Sequence, residues 1–432
     1  MSASLILINP WIYDFAAYNF WARPLGLLKV AEFLSQFDVS LSFIDCTEEY
    51  KNKKLYNTGQ YMKTPVNKPD VLQAVPRLYC RYGISVDEFV SRLDRLKPVH
   101  GVFLTSIMTY WYPGVQKAVE IIREKLPDAF VFLGGIYATL YPDHAEKTIS
   151  PDFLHRGNLS KEPLDIEHIF GIKKVHYSKP YYQLSLYEKM NYAPLLTSSG
   201  CPFACSYCAS RYLTTGFSQR PVDEVVDEIV TLTNRGIQDF AFYDDALFVN
   251  SESHIKPILR KIIQSKINVR FHCPNGLHAR FIDDELALVM KRAGFKIVRV
   301  SLETVNSERQ VTSGAKVTNG EFAGSINALK KQGFNKQEVG VYLMYGLPGQ
   351  SLDEVREGVS FIRSLGMRIN LTEYSPLPQT KSFKALINQG IISENTDPLL
   401  LNNTVFSSIF SGYDHRELQQ LKLDVIQYNR EL

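Results

Sequence analysis

The chain has 432 residues, too many for one ordinary core, so two or three domains are expected. Hydrophobic residues make up 45% and charged residues 22%, the balance of a soluble globular protein. The 48 basic and 45 acidic side chains leave a net charge of +3, which calls for neither a nucleic acid nor a membrane as partner. Six cysteines are no disulfide framework in so long a chain. Three of them fall between 201 and 208, which suits a reducing, cytoplasmic compartment and a metal site.

The apolar run Leu5-Ile6-Leu7-Ile8 lacks a basic flank and a small-residue cleavage site, so it reads as a buried strand and not as a signal peptide. Strand and helix patterns then alternate. Leu5–Asn9 is a strand, Pro24–Phe37 a helix, Val39–Cys46 and His100–Ser106 strands, Tyr112–Lys125 a helix opened by Pro113, and Ala129–Leu133 a strand running into Gly134-Gly135. This alternation predicts a parallel sheet covered on both faces, over residues 1–150, with its ligand beyond the carboxyl ends of the strands. Residues 47–85 interrupt it as an irregular excursion holding Lys51, Lys53, Lys54, Lys63 and Lys68. It reads as a solvated loop or as a strap over a ligand. Residues 151–190, punctuated by Pro151, Pro163 and Pro180, read as a connector.

From 191 the alternation resumes. The strands are Leu195–Ser198, Phe240–Tyr243, Val269–Cys273, Lys296–Leu302, Val339–Met344 and Asn370–Tyr374. Between them lie helices at Val222–Arg235, Ser253–Ser265, Asp283–Ala293, Asn319–Gln332 and Leu352–Leu365. Six such units over residues 191–380 fall short of an eight-fold barrel and predict a partial (β/α)6 TIM barrel. Residues 381–432 form a small C-terminal extension.

Directly after the first barrel strand comes Gly200-Cys201-Pro202-Phe203-Ala204-Cys205-Ser206-Tyr207-Cys208, a C-x-x-x-C-x-x-C loop. A loop at a strand's carboxyl end faces the barrel mouth, where catalytic groups gather. Three thiolates at this spacing wrap one face of an iron–sulfur cubane and leave one iron without a local thiolate, as a reactive site requires. Two readings compete. A zinc site needs a fourth ligand, for which His176, His254 and Cys273 are remote candidates. A buried structural trio is the other.

With these residues in view, the region 193–380 resembles the radical S-adenosylmethionine superfamily. The resemblance implies a [4Fe–4S] cluster on Cys201, Cys205 and Cys208, whose unique iron binds S-adenosylmethionine and cleaves it to methionine and a 5′-deoxyadenosyl radical. It implies that Tyr207 lies against the adenine, that Asp244 and Asp245 receive the methionine ammonium, that Glu303 with Ser301 on the same strand face accepts the ribose hydroxyls, and that Gly346 of the Gly346-Leu347-Pro348-Gly349 turn lets the backbone approach the adenine. A reductant such as flavodoxin or ferredoxin is expected as partner. The substrate, a small molecule or a peptide, is not named by any residue.

The first domain resembles the Rossmann-like B12-binding module that precedes many such enzymes. Tyr110, Trp111, Tyr112, Gly134 and Gly135 are the residues that would meet cobalamin. The cobalt-ligating D-x-H-x-x-G signature is missing, since Asp143-His144 does not match it, so a cobalamin-binding module is favoured over an empty one without that histidine. The expected enzyme is a cobalamin-dependent C-methyltransferase. A cobalamin-independent rearrangement, cyclisation or oxidation is the alternative, and an iron–sulfur electron carrier or scaffold is the non-catalytic one.

Overall fold

The structure, a computed structural model, describes residues 3–48, 50–157, 159, 164–175 and 185–432; His176, Pro163 and Pro180 lie outside the described residues, and of Lys51 and Lys53 only the backbone is described. The chain divides into two compact units, Met1–Met190 with Asn395–Leu400, and Asn191–Glu394 with Leu401–Leu432. Most of the expected 381–432 extension therefore folds with the barrel. No helix of the described residues is long and apolar enough to cross a membrane.

The first unit is built on a five-stranded parallel sheet. Its lateral order is Phe153–Leu154, Phe130–Gly134, Gly101–Ser106, Ala3–Asn9, Val39–Asp45. Counted along the chain this is 2-1-3-4-5, the doubly wound order whose switch point lies between the first and third strands. The central strands are apolar on both faces, and every residue of Gly101–Ser106 is buried, because helices cover the sheet on each side. Leu5, Leu7, Phe103 and Phe132 meet Leu27, Ala31 and Leu34 in one core, where the Phe103 and Phe132 rings stack 4.2 Å apart.

Residues 47–85 are more regular than the sequence suggests. Four short strands in this stretch pair with Ile12–Asp14 and Tyr18–Asn19 into two small antiparallel sheets. Strands of three or four residues are too short to display an alternation. A helix the pattern also hid, Val86–Arg95, follows, capped by Ser85 Oγ on the Glu88 N–H.

The second unit carries six parallel strands in chain order, Tyr192–Leu195, Asp239–Phe242, Arg270–His278, Phe295–Glu303, Val339–Tyr345 and Arg368–Glu373, with no pairing between first and last. It is an α/β, open partial barrel, as expected. The first strand sits three residues earlier than its sequence pattern placed it, so Thr197 and Ser198 lie beyond its end. The free edge of the last strand is covered. Asn429 of the helix His415–Glu431 accepts from the Ile369 N–H at 2.9 Å and donates to its carbonyl at 2.8 Å, mimicking a further strand.

At the amino end of this barrel, Asp239 is fully buried. Arg270 donates to it from Nε at 2.7 Å and Nη2 at 2.6 Å, and His272 Nε2 lies 2.9 Å away. Burial alone would push the Asp239 carboxyl up; these partners outweigh it and hold the group well below the usual carboxylate range. A depressed carboxylate stabilises the fold above its unfolded pKa, about 4, and loses that contribution as pH falls. Urea unfolding between pH 7 and pH 3 is expected to show stability dropping below about pH 4 in the wild type. Asp239→Asn is expected to cost about 3–5 kcal/mol at pH 7 and to flatten that acid limb. An unchanged acid limb in the variant would refute the assignment.

Candidate cofactor site at the barrel mouth

The cysteine loop leaves the first strand through a junction fixed by Asp244. This acid lies two residues beyond the second strand and is buried. Its Oδ1 accepts from the Thr197 N–H at 2.9 Å and Oγ1 at 2.8 Å, and from the Ser198 N–H and Oγ, both at 2.6 Å. Burial pushes its carboxyl up to about 6 against those donors. Its Oδ2 is buried without a hydrogen-bond partner among the described residues. The neighbouring Asp245 is exposed and accepts from Ser210 Oγ at 2.5 Å; it also acts on Cys201 and Cys208.

The loop itself is braced on every side. Gly200 has φ +76°, and a Cβ there would lie 2.1 Å from the Gly216 carbonyl oxygen, so the turn requires glycine. Ser198–Ser199 pairs antiparallel with Ser218–Gln219. Phe203 stacks on His278 with ring centres 4.7 Å apart and touches Phe281. The Ser206 N–H donates to the Ser313 carbonyl at 2.9 Å, and the Ser382 N–H donates to the Ser206 carbonyl at 2.9 Å. Gly314, φ +126°, presses on the loop: a Cβ there would lie 2.9 Å from Cys205 Cα and 3.4 Å from its Sγ.

All three cysteines are free thiols of intermediate burial. Burial raises each of them, Cys208 to about 11, while Lys316 pulls Cys201 and Cys205 back. Sulfurs in such a setting become thiolates when a cationic metal supplies the compensating charge. Among the described residues no three His, Cys, Asp or Glu side chains are arranged to hold a single metal ion.

The other expected contacts gather at the same mouth. Tyr207 is partly buried, and its hydroxyl engages Cys205 and faces Glu303. Glu303 ends the fourth strand at φ +65°, a left-handed backbone seldom used outside glycine, and pairs with Lys316 at 3.2 Å. Ser301 is buried one step below, its Oγ 1.8 Å from where a Gly276 Cβ would stand. Gly346 is set apart from these groups: its N–H donates to the Tyr413 hydroxyl at 3.1 Å, and its Cα faces Ser407. The turn it opens is clamped by Arg309, which donates to the Pro348 and Gly349 carbonyls at 3.0 Å each.

Residues 195–362 match the family described as the Radical SAM superfamily. The chain carries a radical SAM domain. Over 208 residues it is 24% identical to an uncharacterised methyltransferase of Pyrococcus horikoshii, covering 46% of this chain and 43% of that protein. Over 198 residues it is 26% identical to a tryptophan 2-C-methyltransferase of Streptomyces laurentii, covering 42% and 32%. The chain thus spans less than half the length of either relative. Among solved structures, the radical S-adenosylmethionine methyltransferase TsrM of Kitasatospora setae superposes with a TM-score of 0.65 at 17% identity, over 90% of this chain and 76% of that one. That likeness shows a shared fold, and its 90% reach takes in the first unit as well as the radical SAM domain.

In the first unit, the loop after the third strand places Tyr110 and Trp111 at the switch point. Trp111 Nε1 donates to Asp14 Oδ2 at 2.7 Å, and the two rings stand at 89°. Tyr112 turns inward instead, stacking on Tyr137 and reaching Asp397 at 3.3 Å. Gly135, φ +88°, is a packing glycine, because a Cβ there would lie 2.3 Å from Thr105 Oγ1; Gly134 precedes it at the strand end. His144 is occupied by Tyr137, whose hydroxyl is 2.6 Å from its Nδ1.

Sequence reasoning missed Thr197, Ser198, Phe203, His278, Gly314 and Lys316 of the radical SAM domain, and Ser382 beyond it. Gly314 yields a test. Gly314→Ala places a methyl group against Cys205. Gly333→Ala, at φ +80° with nothing within 4 Å, carries the backbone strain alone. After anaerobic reconstitution, Gly314→Ala is expected to bind at least several-fold less iron and sulfide than wild type while Gly333→Ala binds a full complement. Equal iron in the two variants would show that the contact is immaterial to the loop.

Proposed function

We propose that the protein is a cobalamin-dependent radical SAM C-methyltransferase. The observation that carries the first part is the braced three-cysteine loop with an unpartnered buried oxygen of Asp244 beside the strand from which the loop springs. The donor set fits the implied groups. Three soft sulfurs suit iron, and three thiolates leave one iron of a cubane for an exogenous ligand. Asp244 Oδ2, an acceptor with no donor, suits an ammonium such as that of S-adenosylmethionine.

When bound, the cluster and S-adenosylmethionine supply one-electron cleavage of the sulfonium, and a corrinoid supplies a transferable methyl group. This chain's own residues do the positioning. Cys201, Cys205 and Cys208 hold the iron. Tyr207 donates toward the Cys205 sulfur, and hydrogen bonds to cluster sulfurs tune the reduction potential. Glu303, released from Lys316, accepts hydroxyl hydrogens at the strand end. Asp245 and Glu303 add negative charge around the cysteines and Lys316 adds positive, so the local field on the cluster is set by a small balance of side chains.

For the corrinoid, the reading rests on the 2-1-3-4-5 sheet, whose switch point is a general ligand position. Tyr110 and Trp111 stand there. Thr109, in the same loop, has a buried hydroxyl with no partner among the described residues. With His144 engaged by Tyr137, this chain would hold cobalamin without a histidine from that position. TsrM, the structural neighbour, is described with cobalamin and a [4Fe–4S] cluster bound, and the methyltransferase names of the relatives support the same reaction class. A reducing compartment and a small electron donor belong to the same proposal.

Two measurements test it. Cys205→Ala is expected to lose the cluster after anaerobic reconstitution and to yield no 5′-deoxyadenosine from S-adenosylmethionine and dithionite; a retained cluster would remove the radical reading. Hydroxocobalamin titrated into the wild type is expected to bind near one equivalent. No binding would remove the methyltransferase reading while leaving the radical one in place.

A further inference from the structure

The inner face of the barrel sheet is not packed shut. On the fourth strand Val298, Val300 and Leu302 are buried beneath the outer helices, whereas Arg299 and Glu303, on the opposite face, remain partly accessible. Tyr342 and Met344 of the fifth strand and Asn370 and Thr372 of the sixth are likewise partly accessible. Complete TIM barrels fill this space with layers of branched apolar side chains. Here Arg299, Glu303, Tyr342, Asn370 and Thr372 stand on that face instead, partly accessible.

Near the amino ends of these strands two arginines share that face. Arg299 pairs with Gly340, and Gly340 with Arg368. Residues paired in register project to the same side, so both guanidinium stems flank a bare Cα. A Cβ on Gly340 would lie 2.4 Å from Asn370 Oδ1 and 3.1 Å from Arg299 Nη1, so the missing side chain lets both polar groups come together over the bare Cα. The one hydrogen bond Arg299 makes among the described residues goes to the adjacent Val298 carbonyl at 3.2 Å. The titratable groups acting on it are Tyr342, Arg368 and Cys273, none of them a carboxylate. Asn370 Oδ1 is buried without a partner among the described residues.

Buried cations in proteins are normally paired, because desolvation without a counter-charge is costly. A guanidinium fork matches carboxylate and phosphate geometry, and a half-turn of the Asn370 amide presents its N–H2 beside it. We propose that Arg299, with Arg368 beside it and Asn370 meeting it over Gly340, is the seat for an oxyanion of the substrate, a carboxylate or a phosphate. The placement also sets the substrate's length. Arg299 lies four residues before Glu303, about 13 Å at most at the rise of a strand, a distance shortened by the bulge between Ser301 and Glu303. A molecule anchored at Arg299 that reacts near the strand ends is therefore elongated, with its oxyanion remote from the reacting carbon. This deepens the function proposed above and rests on it for the position of the reacting end.

The test uses the full-length, reconstituted protein with inorganic phosphate and acetate as probes, each titrated calorimetrically at constant ionic strength. Saturable binding of at least one anion is expected, phosphate alone marking a phosphorylated substrate and acetate a carboxylic one. Arg299→Gln is expected to weaken it at least tenfold, Arg368→Gln to weaken it less, and Arg299→Lys to retain part of it while melting within a few degrees of wild type. Cluster content and 5′-deoxyadenosine formation without substrate are expected to be unchanged in Arg299→Gln. Absence of saturable binding of both anions, or wild-type binding by Arg299→Gln, would overturn the proposal. Because the cluster and its chemistry are read separately, loss of the radical activity in wild type would count against the function and not against the anion seat.

Discussion

The carboxylate of Asp244 is the constraint on which the site depends. Four donors from two consecutive residues, Thr197 and Ser198, converge on one oxygen. They tie the end of the first strand to the end of the second at the point where the cysteine loop departs. Burying an ionised carboxylate is expensive, and the cost is met only while all of those donors are in place. The junction is therefore held in one geometry, and the loop starts from a fixed direction. Because one oxygen takes all four bonds, the other is left buried without a partner among the described residues.

Beyond that junction the loop owns almost none of its own rigidity. Gly200 fits under the Gly216 carbonyl, Phe203 rests on His278, and Ser206 is held between Ser313 and Ser382. These braces come from four different stretches of the unit, one of them beyond residue 380. The segment that looked like an appendage is thus part of the support for the cysteine loop, and its last helix also finishes the barrel edge through Asn429. A cluster loop held this way is preorganised by the fold, as effective cofactor sites require.

What the sequence disclosed and what it hid separate along physical lines. The long apolar strands were legible because burial on both faces, or an alternation of buried Val298, Val300 and Leu302 with Arg299, Ser301 and Glu303, leaves a periodic trace. The cysteine loop was legible because its three thiols lie within eight residues of one another. Gly314 and Ser382 were not, since they touch the loop from more than 100 residues away and leave no local pattern. The first strand was misplaced because the apolar run around Pro194 and Leu195 gives no boundary; the boundary is set by the Asp244 contacts. At Gly346 the turn motif was legible, whereas the packing of Tyr413 and Ser407 against it was not, since both come from some 60 residues away.

The two ends of the barrel lumen divide the work by charge. At the carboxyl ends Asp244, Asp245 and Glu303 supply acceptors and the cysteines supply soft donors, a setting for cations and for a cluster. At the amino ends Arg299 and Arg368 supply donors only, a setting for an anion. Tyr342 stands between, its hydroxyl tied to the Pro274 carbonyl at 2.7 Å, so a substrate spanning the lumen passes an aromatic face on its way to the mouth. An elongated molecule with a charged tail fits this gradient in one orientation only, because reversing it would set the tail's oxyanion against three carboxylates. Orientation would then follow from electrostatics along the strands, before any contact specific to the reacting carbon is made.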